Sequence, residues 1–304
     1  GDKLMKNIKK VLIIVLMTMV LTTGCTKSFR NEETKKVYTE NILCKPTEEE
    51  ALKAYAENEN VDLEKLPVCE NLKINSGGYE GLWTNIFVKP LAWLIVKVGL
   101  LVKNYGLSII LIGIALRLLV LPLSKQTMDM STNMQKANPE LQRLEKKYLN
   151  RTDRDSLMAK NQEMLLIYKK YNIKPMAGCL VSLIQLPLFF AFLEAIQRIP
   201  AILEERMLGF DLGLTPWEAI RSGSYIYLII VILIGLTTYF SFKNAGMTSM
   251  SEEQAAQTKM MTRMMTVFIV LMSFTLNVGI GIYWISSSAF AILQNMILKR
   301  IKSN

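Results

Sequence analysis

The sequence predicts an all-α integral membrane protein with five transmembrane helices, an external amphipathic surface helix and a cytoplasmic helical hairpin. Hydrophobic residues make up 51% of the 304 residues, and the mean hydropathy is +0.24, which is unusual for a soluble domain. Five apolar runs are long enough to enter or cross about 30 Å of hydrocarbon. Lysine and arginine are concentrated in alternate connecting segments, as cytoplasmic loops require. The five predicted spans cover residues 105–123, 175–195, 224–242, 264–278 and 279–298.

Residues 1–25 have the three parts of a signal peptide. Lys6, Lys9 and Lys10 precede an 11-residue apolar run, which is followed by Thr-Thr-Gly-Cys. The junction before Cys25 resembles the cleavage site of a bacterial lipoprotein, although Thr22 stands where such sites usually have leucine. We therefore predict a signal peptide and lipidation of Cys25, palmitate included. An uncleaved anchor helix is the alternative.

Residues 26–80 form a polar segment, which the export signal places outside the cell. The segment contains eight Lys or Arg against twelve Asp or Glu, together with Cys44 and Cys69. In an oxidising compartment these two cysteines can form a disulfide. Free thiols in a flexible tether are the alternative.

Residues 82–104 are apolar but contain lysines that share one helical face. At 100° per residue, Lys89, Lys97 and Lys103 fall within a sector of about 120°, and the apolar residues fall opposite. The pattern predicts a helix that lies along the membrane surface, with Pro90 in its first turn. A sixth span is the alternative, in which Lys97 would lie near the membrane centre.

The charge of the loops sets the predicted orientation. Segment 124–174 holds eleven Lys or Arg against six Asp or Glu, whereas segment 196–223 holds three against four. Because cytoplasmic loops keep an excess of basic residues, the first segment is predicted to be cytoplasmic and the second external. With five spans in the cell membrane, the N-terminal segment is then outside. The basic tail 299–304 is inside, beside the anionic inner leaflet.

The cytoplasmic segment 124–174 has the pattern of two antiparallel helices. Asn138 and Pro139 predict an N-cap and a first turn, and the polar run NRTDRD predicts the break between the helices. The second helix has contact positions at spacings of three and four residues, namely Leu157, Asn161, Met164, Tyr168 and Tyr171. The hairpin is either a charged connector or a contact surface for other molecules.

The absence of histidine from the sequence excludes several function classes. No imidazole base, imidazole metal ligand or Ser-His or Cys-His catalytic pair is available. No metal-ligand spacing of cysteines is present, and Cys179 lies in a predicted span as a small packing residue. We therefore predict no enzyme activity, no metal and no cofactor. A secondary transporter and a structural membrane lipoprotein are the alternative classes.

Four stretches of the sequence carry a family resemblance. They are the arginine-bearing span that ends in LPLSKQ, MQKANPELQRLEKKY in the hairpin, PMAGCLVSLIQLPLFFAF in the second span and GIYWISSSAFAILQN in the last. Together they resemble the YidC/Oxa family of membrane protein insertases over residues 82–298. The lipoprotein-like signal and the short external segment resemble the Gram-positive branch. The family usually has proline where Val181 stands, and Ser-Asn where Ser287 and Ser288 stand.

The resemblance implies a protein that helps newly made membrane proteins insert and fold, alone or with a Sec translocon. The implied partners are nascent membrane proteins, the lipid bilayer and, at the hairpin, the ribosome, with no specific nucleic acid. The resemblance also implies a hydrophilic groove in the inner leaflet, closed toward the outside and open to the cytoplasm and to lipid.

Arg117 is the candidate functional residue of the first span. A buried arginine costs at least about 2.5–3.5 kcal/mol on insertion scales, and within the spans the one carboxylate is Glu194, at an outer end. A water-filled groove accounts for such a charge, and a structural arginine bonded to helix carbonyls is the alternative. Tyr283 and Trp284 belong to the groove lip by resemblance, with an interfacial aromatic belt as the alternative. The candidate groove residues are Arg117, Gln185, Tyr283, Trp284, Ser288 and Gln294.

The fourth span and the loop before it are unusual. As a helix, residues 264–278 are only about 22 Å long, which predicts local thinning of the bilayer. The approach to this span is rich in methionine, a side chain that adapts to varied apolar partners. We predict contact with hydrophobic substrate segments, and packing or lipid contact is the alternative. These residues are Met247, Met250, Met260, Met261, Met264 and Met265.

Overall fold

The structure is a computed structural model that describes residues 28–31, 36–58, 60–151, 153–173, 187–244 and 252–303. The predicted signal peptide with Cys25, most of the predicted second span with Cys179 and Gln185, and the loop residues Met247 and Met250 lie outside the described residues. The described residues fall into two compact units. The first unit contains those within 1–113, 183–231 and 273–284, and the second those within 114–182, 232–272 and 285–304.

The first unit begins with a small folded lobe, the N-terminal lobe, where the sequence predicted only a polar segment. Strands β1 (Ser28–Arg30) and β2 (Val37–Thr39) pair antiparallel, and helix α1 (Glu49–Ala56) follows them. A disulfide joins Cys44 and Cys69. The lobe has its own apolar cluster, in which three aromatic rings lie 5.2–5.8 Å apart between centroids. The cluster includes Phe29, Tyr38, Ile42, Tyr55 and Leu203.

Helix α2 (Lys89–Val102) follows a π-helical turn (Thr84–Val88), and Pro90 lies in its first turn as predicted. The α-helix ends at Lys103, which adopts a left-handed conformation with φ of 55°. The combined helix Thr84–Val102 is long and apolar enough to cross a membrane.

The lysines of α2 do not form the exposed face that the sequence predicted. Lys97 is exposed, and its Nζ donates to the backbone carbonyl of Glu70 at 3.0 Å. Lys89 is buried instead, and its Nζ lies 3.0 Å from a carboxylate oxygen of Glu80. The prediction was wrong at Lys89 because a carboxylate from the preceding loop compensates the buried charge.

The predicted first span is two helices. Helix α3 (Tyr105–Leu119) ends before Val120, and helix α4 (Leu121–Lys147) continues at an angle of 56°. Pro122 explains the break, because its ring lacks an N–H and clashes with the carbonyl four residues earlier. The expectation of one helix over 105–123 was therefore wrong.

Helix α4 also corrects the predicted start of the hairpin. Pro139 lies inside this 27-residue helix, and the preceding Asn138 does not cap a helix end. The carbonyl oxygen of the Asn138 side chain is buried and makes no hydrogen bond. Packing of Ala137 and Leu141 against the next helix accounts for the continuation through proline.

Helix α5 (Arg154–Lys170) completes the helical hairpin after the predicted NRTDRD break. Lys147 pairs with Glu163 at 2.6 Å and Lys170 with Glu140 at 2.5 Å, so the two helices run antiparallel. Hydrogen bonds from Lys147 and Tyr148 hold the pKa of Glu163 below its ordinary value.

The hairpin has a small apolar core between α4 and α5. The predicted contacts Met164, Tyr168 and Tyr171 belong to this core, whereas Leu157 and Asn161 are exposed, so the predicted stripe was wrong in its first two positions. The core residues are Met134, Ala137, Leu141, Tyr168 and Ile173, with Met164, Ile167 and Tyr171 packed against them.

The rest of the described chain is mainly helical. Its elements are α6 (described over Pro187–Gln197), α7 (Pro200–Leu203), strands β3 (Arg206–Met207) and β4 (Phe210–Asp211), α8 (Pro216–Arg221), α9 (Leu228–Asn244), α10 (Glu252–Ser273) and α11 (Val278–Ser303). Besides Thr84–Val102, the helices Tyr225–Lys243 and Val278–Leu298 are long and apolar enough to span a membrane. The bent pair α3 and α4 is a fourth candidate among the described residues.

The predicted fourth span has different boundaries in the structure. Helix α10 starts well before Met264 and ends at Ser273, so the expected helix over 264–278 was wrong at both ends. The next helix, α11, begins after Asn277, whose buried side chain accepts the N–H of Ile280 at 3.2 Å. Asparagine in this position is a strong N-cap, so a new helix begins here although the hydropathy of the two apolar runs is continuous.

Candidate functional site

Arg117 lies in the last turn of α3, just before the bend at Val120. Its side chain is partly exposed, and its Nε donates a hydrogen bond to the Oγ of Ser287 at 2.8 Å. The carboxyl end of a helix presents carbonyl oxygens and a partial negative charge, so this end favours a cation. The position therefore offsets part of the cost of placing a guanidinium in an apolar helix.

The hydroxyl that receives this bond belongs to a polar face of α11. Ser287, Ala291 and Gln294 follow one another at spacings of four and three residues, so they share one side of the helix. Ser287, Ser288 and Gln294 are all buried. The Oε1 of Gln294 makes no hydrogen bond in the structure. A buried acceptor without a donor is costly, which makes Gln294 a position where a binding partner is favoured.

The chemistry of this site is binding, not catalysis. It offers a permanent cation, two hydroxyls and an amide, which suit carboxylates and peptide groups. None of these groups titrates near neutral pH, so the site supplies no general acid or base. Among the described residues, no three His, Cys, Asp or Glu side chains are arranged to hold a metal.

The predicted aromatic members of the site lie in the first unit. Tyr283 is buried, and its ring centroid is 4.2 Å from that of Phe192. Trp284 meets the ring of Phe189 edge-on at 5.0 Å. Both residues thus take part in aromatic packing between α6 and α11. Gln185, the remaining predicted residue, lies outside the described part of the chain.

The methionines of α10 that the structure describes are exposed. Met260, Met261, Met264 and Met265 each leave about half or more of their surface open to solvent. Their helix also exposes Phe268. The result is an apolar surface of adaptable side chains on the second unit.

A second arginine site was not anticipated from the sequence. Arg198 follows α6, is only 1% exposed and pairs with Glu80 and, at 3.3 Å, with Glu194. Glu194 also accepts the indole N–H of Trp83 at 2.9 Å, and Arg198 Nε donates to the carbonyl of Asn41. The only local sign of this cluster was the four-residue spacing of Glu194 and Arg198, which fits a helical ion pair.

Two adjacent carboxylates fix the lobe and the start of α3. Glu204 accepts the backbone N–H groups of Thr47 and Glu48 at the start of α1. Glu205 accepts the backbone N–H of Tyr105 at the start of α3, and burial raises the pKa of this carboxyl. Both are anions at helix N-termini, where the helix dipole favours them. No sequence pattern indicates this role of Glu204 and Glu205.

Comparison with known proteins gives matches over most of the chain. A family described as "60Kd inner membrane protein" matches residues 97–304. The membrane protein insertase YidC of Oceanobacillus iheyensis is 33% identical over 227 residues, which cover 73% of this chain and 85% of that protein. The insertase YidC of Alkalihalophilus pseudofirmus is 37% identical over 218 residues, covering 71% and 81%.

One more relative and one solved structure also align with the chain. The membrane protein insertase MisCA of Bacillus subtilis is 34% identical over 218 residues, covering 71% of this chain and 79% of that protein. A crystal structure titled as an active YidC insertase with its first transmembrane domain resolved aligns at 21% identity and a TM-score of 0.46, over 72% of this chain and 48% of that chain.

Proposed function

Because this chain belongs to the YidC/Oxa family of membrane protein insertases, we propose that it inserts newly made membrane proteins through a hydrophilic groove that contains Arg117. It is a multi-pass membrane protein, and the family name describes an insertase, not an enzyme. The observation that supports the groove is the contact of Arg117 with the polar face of α11.

The proposed groove lowers the cost of moving a polar segment through hydrocarbon. A charged side chain at the membrane centre is expensive unless water, a counter-charge or hydrogen bonds receive it. Arg117 supplies a positive charge, and Ser288 and Gln294 supply hydrogen-bonding groups. An acidic or polar tail then exchanges water for these groups while the adjoining apolar segment enters lipid. No nucleotide is required for this exchange.

The layout of the groove in the membrane follows the sequence predictions. We propose five spans, with residues 82–104 along the outer surface and the hairpin in the cytoplasm. The excess of basic residues in segment 124–174 supports this orientation. The roles of Tyr283, Trp284 and Gln185 in the groove and the lipidation of Cys25 stay predictions from the sequence.

Insertion by Arg117 variants tests the groove. We expect Arg117→Lys to retain part of the insertion of a substrate with a short acidic tail, because it keeps a cation but loses the bidentate fork. Arg117→Ala removes the charge, and we expect it to lose most of the insertion of the acidic-tailed substrate. Neutral-tailed substrates should change little. The measurement is protease mapping of both substrates at equal abundance of each insertase variant.

Ser287→Ala is the matched control for this experiment. It removes the 2.8 Å hydrogen bond and leaves the charge of Arg117 in place. We expect it to insert the acidic-tailed substrate nearly as well as the parent does. Parent-like insertion by Arg117→Ala would show that Arg117 is structural and would refute the groove. Loss of insertion in Ser287→Ala alone would show that the position of the Arg117 side chain, not its charge, is what insertion requires.

We further propose that the hairpin receives substrates from the ribosome and, for some substrates, works beside a Sec translocon. Met158, Leu165 and Leu166 are exposed on α5, on the side away from the packed core. Exposed apolar patches on a soluble surface often mark contact sites. Leu165→Gln with Leu166→Gln should weaken ribosome co-sedimentation without unfolding the hairpin. Unchanged co-sedimentation would reduce the hairpin to a connector.

A further inference from the structure

A tight turn between β3 and β4 places a leucine where a polar residue or glycine is usual. Arg206 pairs with Asp211 and Met207 with Phe210, so Leu208 and Gly209 form a two-residue turn. Their φ angles are 53° and 86°. Turns with two positive φ angles favour Asn, Asp and Gly, because a branched side chain is strained there. Leu208 is nonetheless present, and it is 87% exposed.

One strand of this β-hairpin is fixed against the first turn of α3. The side chain of Met207 packs on Gly106 so closely that a Cβ at that glycine would overlap it. The adjacent Glu205 accepts the N–H of Tyr105. The strand therefore lies at the level where the apolar helix α3 begins.

The other strand is fixed against the start of a membrane-crossing helix. Phe210 meets the ring of Tyr227 edge-on at 5.2 Å, and the N–H of Asp211 donates to the Tyr227 hydroxyl at 3.0 Å. Tyr227 belongs to the first turn of Tyr225–Lys243, which is long and apolar enough to span the membrane. The turn is thus held at the ends of two helices, on the face of the membrane at which both begin.

We propose that the Leu208–Gly209 turn is a membrane anchor, whose leucine side chain enters the boundary between lipid headgroups and acyl chains. The neighbouring Arg206 is exposed and has the geometry to bind lipid phosphates. Contact with lipid explains both the apolar side chain of Leu208 and its exposure. Tyr225 and Ile226 are also exposed, and they are aromatic and apolar side chains of the kind that are enriched at membrane interfaces.

The anchor gives the first unit a fixed depth in the bilayer. A rigid turn with an apolar tip resists both withdrawal into water and deeper entry, because its backbone and arginine stay at the polar boundary. This inference depends on the embedding of α3 and Tyr225–Lys243 in a bilayer. It does not depend on the groove or on Arg117, and its failure would leave the insertase proposal intact.

Fluorescence quenching by brominated lipids tests the anchor. The full chain with Leu208→Trp is reconstituted in phosphatidylcholine and phosphatidylglycerol vesicles, with bromine at shallow acyl positions in part of the lipid. The signal is the tryptophan emission gained over the parent, which has four tryptophans. We expect the added emission to be blue-shifted and quenched severalfold by the brominated lipid. Because the Leu208 side chain is 87% exposed, the variant should fold.

Leu149→Trp is the matched control. Leu149 is also an exposed leucine in a turn beside a residue with positive φ, but it joins the two charged helices of the helical hairpin. Its added emission should be water-like and weakly quenched. Water-like, unquenched emission at position 208 would refute the anchor. Blue-shifted emission at 208 that brominated lipid leaves unquenched would also refute it, since the turn would then be covered by protein.

Discussion

Each of the two units of this protein contains an arginine in apolar surroundings, and the two arginines differ in burial and in their partners. In the first unit, Arg198 is 1% exposed and its guanidinium is held by Glu80, Glu194 and a backbone carbonyl. In the second unit, Arg117 is partly exposed and its Nε bonds to a serine hydroxyl on α11.

Burial and neighbouring carboxylates decide whether an arginine acts within the protein or on a ligand. Two carboxylates compensate Arg198, so its charge acts within the protein and fixes α6 to the loop before α2. Arg117 is partly exposed, so its field also acts on a ligand that approaches its exposed side. Stability should therefore depend on Arg198, and insertion of acidic segments should depend on Arg117.

The largest expected effect is on stability, which should differ between variants of Arg198 and of Arg117. Arg198→Ala removes the cation that Glu80 and Glu194 share and leaves Glu194 without an opposite charge, and we expect a loss of about 3 kcal/mol in the free energy of unfolding. Arg117→Ala should unfold at nearly the same temperature as the parent. Thermal unfolding of the purified proteins measures both. Equal losses in the two variants would remove the distinction.

A smaller effect is expected from the disulfide of the N-terminal lobe. Replacing Cys44 and Cys69 with serine releases a loop of 25 residues, and we expect a loss of about 2–3 kcal/mol from the lobe. Insertion at moderate temperature should persist, because the second unit is untouched. Alkylation in intact cells checks the pairing: labelling of both thiols without reductant would contradict it.

The smallest effect concerns the carboxylate that holds the start of α3. Burial raises the pKa of Glu205 above its ordinary value, so the folded state binds this proton more tightly than the unfolded state does. The stability gained from this proton is present below the unfolded pKa and is lost as pH rises through the folded pKa.

Glu205→Gln isolates that contribution. Its amide oxygen still accepts the N–H of Tyr105 but carries no charge. We expect the unfolding temperature to depend less on pH above about pH 4.5, the ordinary glutamate pKa. Near neutral pH the unfolding temperature should be unchanged or slightly higher than that of the parent. A steeper dependence than in the parent would show that the buried charge stabilises α3.

The sequence predicted those features that depend on local pattern. Arg117 stands out as a charged residue within an apolar run, and the polar run NRTDRD indicates the turn between α4 and α5. Both signals lie within a few residues of the chain. The family resemblance rests on such local motifs as well, and the matching relatives confirm it.

The sequence failed where distant residues decide the structure. Glu80 and Arg198 are 118 residues apart, and no local signal brings them together. The continuous helix through Pro139 is another case, since packing of Ala137 and Leu141 outweighs the cost of proline. The contact of Arg117 with Ser287 spans 170 residues, so the charge was predictable but its partner was not.

Reversal of the charge at position 117 tests whether that charge receives the translocated tail. Arg117→Glu and the parent are compared at equal abundance for insertion of two substrates that differ only in an acidic or a basic translocated tail. If the charge of Arg117 receives the tail, the parent should favour the acidic tail and Arg117→Glu the basic one. If both proteins insert the two substrates in the same order of preference, the charge of Arg117 does not receive the tail.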